Sequence, residues 1–284
     1  MRQYKILLYI AAAALMQLCC MTSLRAAEDE QENFNARISA GAEYKINRSL
    51  HVFASEEIRL GGKDILDRSH TEAGISYKFT DYLKASVSYT AIAVYKSETV
   101  PVEDIGEKTT YWFEWRHRVS GDITGTVRFG QWKLSLRERV QGTYKHKELN
   151  NFQQPQTAWV LRSRLKASYK FRSVPLEPYV YFEPRLLLNG AKWSEEGYTT
   201  ADYESAEFLG HKDVYFNRLR GAAGVEWKLN PRNSFDIYCL YNYLYDKEID
   251  ARKEGSKKGV GLKAQITATT GHLVCIGVGY KFSF

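Results

Sequence analysis

The feature that most constrains this chain is a two-residue period running from Phe34 to the last residue. It is clearest in HLVCIGVGYKFSF, residues 272–284. There Val274, Ile276, Val278, Tyr280, Phe282 and Phe284 share one phase, and Cys275, Gly277, Gly279, Lys281 and Ser283 share the other. Successive side chains of a strand point to opposite faces, so this alternation describes a strand with one apolar face. A chain terminus usually frays. One that ends on its most regular strand is expected to be tied into a sheet.

The same alternation recurs upstream. Ile38, Ala40, Ala42, Tyr44 and Ile46 share a face, as do Leu50, Val52, Ala54, Ile58 and Leu60, then Ala73, Ile75, Tyr77 and Phe79. Many such segments exceed the ~5–6 residues of an ordinary strand and match the ~9–11 residues of a tilted membrane strand. Short breaks at INR, FTDY, FGQW, FRSVPLE and KLNPRNS alternate with long polar ones near residues 61–69, 96–107, 146–156, 189–213 and 248–258. Short turns at one end and long loops at the other characterise outer-membrane barrels, whose closure removes the sheet edges that lipid does not tolerate.

Aromatics near the strand ends, among them Tyr44, Tyr77, Phe79, Phe129, Trp132, Tyr169 and Trp227, fit an interfacial girdle. A soluble sandwich or lipocalin-like barrel is the alternative, but its apolar face should pack inward without such ends. The expected fold class is therefore all-β: a transmembrane antiparallel up-and-down β-barrel of about twelve strands, with ten to twelve compatible with the pattern. Counting back from Phe284 gives eleven. Even numbers are usual, so GVGLKAQITA at 259–268 is read as a further strand. Two strands merged within TYWFEWRHRVSGDITGTVRF would be the other route to an even count.

Composition narrows the class further. The 284 residues include 20 Tyr, 13 Phe and 6 Trp but only 6 Pro, which argues against disorder. The net charge of +7 suits anionic partners. Zinc-finger spacing and aromatic RNA-binding motifs are missing from the sequence, so no nucleic acid is expected.

Residues 1–26 read as a cleaved signal peptide. Arg2 and Lys5 precede an apolar ILLYIAAAAL, and cleavage fits best after Ala26. A single membrane anchor would need a longer apolar run. The expected organisation is a signal at 1–26, a short periplasmic tail at 27–34 and an outer-membrane barrel at 35–284, exported to the cell outer membrane. Cys239 and Cys275 fall on opposite phases, which argues against a disulfide.

If the apolar phase faces outward, the other faces the lumen, and it is heavily charged. Arg116 and Arg118, Arg137 and Arg139, and Arg162 and Arg164 come from three successive segments, with Arg218 and Arg220 farther on. Glu114, Glu183 and Glu226 share the inward phase. These eleven are the candidate lumen-lining residues. They could form Arg–Glu ladders that fill a narrow interior, or an arginine wall that lowers the barrier for anions in a wet pore. Glu138 falls on the outward phase, where it calls for a bulge or an interfacial position.

A hydrolase would need a serine near a histidine. His117 and Ser120 are three apart, which on a strand points them to opposite faces. No catalytic residue, cofactor or metal is expected. A non-enzymatic barrel is the first reading, as a narrow anion-preferring porin. A closed structural or surface-binding barrel is the alternative, and a lipid hydrolase the least supported. The acidic stretch SEEGYTTADYESAEF (194–208) reads as a solvated loop or a cation- or sugar-binding surface.

The segments EEIRL, EWRHRV, LRERVQ, RSRLKASYKF, PYVYFEPRL, NRLRGAAGVEWKLN, FDIYCLYNYLYD and HLVCIGVGYKF, in that order, resemble the Gram-negative domain-of-unknown-function 2490 family. The resemblance covers nearly all of the chain after the signal and implies an outer-membrane β-barrel with no assigned reaction. The inward arginines also distantly resemble small porins for acidic oligosaccharides. The ending YKFSF resembles the signal read by the outer-membrane insertion machinery, which gives Tyr280, Phe282 and Phe284 the role of an assembly signal. Expected partners are outer-membrane lipid, lipopolysaccharide, that machinery and anionic solutes.

Overall fold

The computed structural model describes residues 34–61, 66–102, 106–146, 155–193, 204–205, 208–254 and 261–284. The signal segment, residues 27–33 and nearly all of the acidic stretch 194–208 lie outside them. The described elements are all strands: β1 (Phe34–Lys45), β2 (Leu50–Leu60), β3 (Leu66–Lys78), β4 (Leu83–Val102), β5 (Gly106–Phe129), β6 (Trp132–Lys145), β7 (Thr157–Tyr169), β8 (Leu176–Trp193), β9 (Glu204–Ser205), β10 (Phe208–Lys228), β11 (Asn233–Glu254) and β12 (Gly261–Ser283). β9 is a two-residue extension against β12. The other eleven pair with their neighbours in chain order, and β1 closes on β12.

The count of eleven lies within the ten to twelve that the alternation allowed. Residues 261–268 are not a strand of their own. They begin β12, which pairs with β11 without a break from Gly261–Glu254 down to Phe282–Asn233. TYWFEWRHRVSGDITGTVRF is likewise one strand, paired with β4 without a break as far as Gly125 and with β6 from Arg116 to Phe129. An odd count has a geometric consequence. Neighbours that alternate in direction all round leave the first and last of eleven strands pointing the same way, so the β1–β12 seam is parallel, from Phe34–Val274 to Glu43–Ser283.

Five short turns lie at one end of the barrel. Three share one device. Asn47 accepts from the backbone N–H groups of Ser49 and Leu50 at 2.8 and 2.7 Å, Asn230 from those of Arg232 and Asn233 at 2.9 Å each, and Thr80 from those of Tyr82 and Leu83 at 3.2 and 3.0 Å. In the β3–β4 turn, Lys78 donates to Asp81 at 2.5 Å and holds that carboxyl below its usual range. The β5–β6 turn needs only Gly130 and Gln131, with Gly130 at φ 61°, the conformation a two-residue hairpin requires at its first central position.

The expected short breaks are these turns, but parts of the long breaks are strand: residues 66–69, 96–102, 106–107, 189–193, 208–213 and 248–254 belong to β3, β4, β5, β8, β10 and β11. β4, β5, β8, β10, β11 and β12 carry 18 to 24 residues, while β1, β2 and β3 carry 11 to 13. The barrel wall is therefore low at β1–β3 and again at β6–β7, where the strands carry 14 and 13 residues, and tall along the longer strands. Apolar alternation stops where one face stops needing apolar cover, whereas the backbone ladder continues wherever hydrogen bonds can form. That is why the sequence reads as loop where the chain is still strand.

The interior is inverted relative to a soluble protein. Large apolar side chains lie exposed around the outside, such as Ile123, Val127 and Val180 at 57 to 58%. Buried positions include Arg37, His70, Asp122, Glu177, Glu183, Arg220 and Asn242. A continuous bare apolar surface of this kind is not what water-soluble domains present.

Candidate functional site: the charged lumen

The inward phase of β5–β8 and β10 brings most of the expected arginines together. Glu183 on β8 is their centre. It accepts from Arg164 Nε at 2.6 Å, from Arg162 Nε at 3.1 Å and from Arg137 at 3.2 Å, and Arg220 approaches at 3.5 Å. Four cations thus share one carboxylate that is 2% exposed. The neighbouring backbone is irregular. The β7–β8 ladder keeps its register from Arg162–Arg185 to Leu165–Phe182 but lacks the two pairs between them, which would involve Pro184 and Glu183. Proline has no N–H to give to a ladder.

The remaining predicted residues divide by partner. Arg139 donates twice to Asp122, at 2.8 and 3.1 Å. Arg116 pairs with Glu114 on its own strand at 2.9 Å. Arg118 donates to the Thr143 hydroxyl at 3.0 Å, not to a carboxylate. Arg162 also donates to Gln141, which donates on to buried Ser120, both at 3.1 Å. Arg220 donates to Asn242 Oδ1 at 2.7 Å. Arg218 lines the cavity described below. Glu226 stands in register between Glu177 and Asp236, near Lys166 and Lys228.

The lumen has two halves. The short-turn half is occupied by side chains. Tyr179 donates to Asp236 at 2.9 Å and lies over Gly224, where an added Cβ would stand 2.7 Å from its ring. Tyr238 lies over Gly277 in the same way, at 2.0 Å. Lys166 sits 3.6 Å above the Tyr179 ring, and Arg164 4.2 Å from that of Tyr181. Glu177 accepts from Ser168 at 2.9 Å and from Lys228 at 2.5 Å.

The long-loop half holds a cavity of about 410 Å³. Nine arginines and one lysine line it, against the carboxylates of Asp67, Glu183 and Asp246. Apolar side chains also line it, including Ile92, Val160 and Leu244.

Sequence phase alone missed several lumen residues. Ile92, Val94 and Leu240 face inward although they are apolar, and all are buried. In AIAVY both phases are apolar, so alternation gives no sign of which faces in. Arg37, Arg68 and His70 were legible only by extending the phase of β1 and β3.

On the outward face, Glu138 needs no bulge. The ladders run unbroken through Ile123–Glu138–Ser163, and the Ser163 hydroxyl donates to its carboxylate at 2.5 Å. His117 and Ser120 do lie on opposite faces. His117 points outward to the Tyr89 hydroxyl at 2.5 Å, and Ser120 points inward. Among the described residues, no group of three or more His, Cys, Asp or Glu side chains could hold a metal ion.

At the seam, Phe284 and Tyr44 meet edge to face at 6.1 Å, Phe282 and Phe284 at 4.4 Å, and Tyr280 packs on Phe235 at 5.2 Å. The backbone N–H of Phe284 donates to the Glu43 carbonyl at 2.9 Å, so pairing extends to the last residue.

An apolar outside, a lumen packed with ionic and polar side chains and a sheet without edges define a closed β-barrel. The chain belongs to the family described as a protein of unknown function, DUF2490, whose model matches residues 34–253. No curated protein matches it.

Proposed function

We propose that this chain is a non-enzymatic integral barrel of the outer membrane, with a lumen closed on the short-turn side and a cationic chamber facing the long-loop side. The Glu183 cluster carries this reading. Four arginines from three strands converge on one buried carboxylate, and tyrosines occupy the lumen beneath it. Guanidinium groups bound to a fixed carboxylate fill space and compensate charge, and are not available to pass an ion along. The low wall of 11 to 13 residues at β1–β3 suits the ~9–11 residues that a tilted strand needs to cross. Outer-membrane lipid and lipopolysaccharide would cover the outer face, and the insertion machinery would read Tyr280, Phe282 and Phe284.

The anion-preferring porin remains a second reading because one observation favours it: the chamber has a large excess of cations. Location is tested by expressing the full chain in a Gram-negative host and fractionating the cells. The protein should appear in the outer-membrane fraction and migrate faster unboiled than boiled. A soluble periplasmic product with a single migration would refute the assignment.

A further inference from the structure

The chamber in the long-loop half has charge and donors that the protein does not itself satisfy. Two arginines there bear on the question. Among the described residues, Arg118 hydrogen-bonds only to a neutral hydroxyl. Arg218 has a buried Nε with no partner among the described residues. They stand on β5 and β10, on different walls of the barrel. Arg59, Arg162 and Arg185 lie within electrostatic range of both. Arg37 and His70 line the same space, and each carries a buried side-chain nitrogen (Nε and Nε2) with no partner among the described residues.

A buried donor left without an acceptor is destabilising, and like charges brought together out of water raise the cost. A chain that merely needed to fill this volume would do so with apolar side chains at lower cost, as it does nearby with Ile92 and Val160.

We infer that this chamber is a binding site for a compact multivalent oxyanion, a small molecule bearing two or more phosphate or carboxylate groups. Guanidinium forks match the geometry of both groups. Donors on different walls favour an anion with charge at more than one point over a single monovalent ion. The volume of about 410 Å³ admits a small molecule and excludes a polymer chain coiled within it. The inference rests on the chamber being reachable from the long-loop side.

The test is calorimetric titration of the folded, full-length protein in detergent with pyrophosphate and with citrate, and with acetate as the monovalent control. Each variant is first checked for heat-modifiable migration, so that loss of the barrel is separated from loss of binding. The expected result is saturable binding of pyrophosphate or citrate at one site and none of acetate. Arg118→Gln and Arg218→Gln should each weaken it at least tenfold. Arg118→Lys, which keeps the charge but not the fork, should fall between. Saturable binding of pyrophosphate alone assigns phosphate groups, and of citrate alone carboxylates. Heat-modifiable protein that binds neither, or binds them unchanged in both glutamine variants, overturns the inference and leaves the closed barrel standing. Failure of that barrel shows separately, as absence of heat-modifiable migration in the wild type.

Discussion

Glu183 and Arg164 are joined across adjacent strands by a 2.6 Å hydrogen bond, from the arginine Nε to a carboxylate that is 2% exposed. Three further arginines lean on the same two oxygens. Glu183→Gln would therefore strand four cations around a neutral amide. Breaking a buried pair costs about 3–5 kcal/mol. A urea titration of the lipid-reconstituted barrel, followed by tryptophan fluorescence, should show a loss of that order. Replacing any one of the four arginines by Gln should cost less, because it also relieves repulsion among the others.

Gly277 and Tyr238 give a second prediction. A Cβ on residue 277 would stand 2.0 Å from the Tyr238 ring. Gly277→Ala forces that ring to move and should destabilise by about 1–3 kcal/mol, as overpacking does. Combined with Tyr238→Ala, the second change should cost less than it does alone. The double-mutant cycle should then show a coupling of about 0.5–3 kcal/mol. Additive losses would mean that the ring does not lie over this glycine.

The cysteines supply a chemical check. Cys275 is fully buried on the lumen side, Cys239 is on the outer phase, and the two form no disulfide. In the folded barrel a water-soluble maleimide should leave Cys275 unmodified, and a non-reducing gel should match a reducing one. Unfolding should make Cys275 reactive. Rapid labelling of Cys275 before unfolding would show that water reaches the lumen at that level.

The end of the chain is tested through Phe284. Its ring meets Tyr44 across the parallel seam at 6.1 Å. Aromatic pairs contribute about 0.5–1.5 kcal/mol. Phe284→Ala should cost purified protein no more than that, while lowering the amount assembled in cells much further if the last residues act as an assembly signal. Equal, small effects in both assays would confine Phe284 to packing.

What was legible follows from what alternation encodes. The outward phase was readable in the stretches where one face must be apolar, such as Ile38–Ile46 and Val274–Phe284. Turns were readable because Asn47, Thr80, Gly130 and Asn230 supply the local acceptors or positive φ that tight turns need. The strand count was harder. Residues 261–268 and the upper parts of β4 and β5 continue the ladder where neither face is consistently apolar, so only pairing partners reveal them. In the lumen, the charged residues could be assigned to the inward face, but their partners could not. Arg162 and Glu183 are 21 residues apart in sequence, and Arg137 and Glu183 are 46 apart. Nothing local distinguishes four arginines on one glutamate from a ladder of separate pairs. The orphaned nitrogens of Arg37, His70 and Arg218 are likewise a property of the assembled barrel.

The most direct measurement is single-channel conductance of the purified, heat-modifiable, full-length protein in a planar bilayer under a salt gradient. A lumen closed beneath Glu183 gives no steady openings. Steady anion-selective openings, weakened by Arg137→Glu together with Arg164→Glu, would contradict closure and make the arginine wall a permeation path.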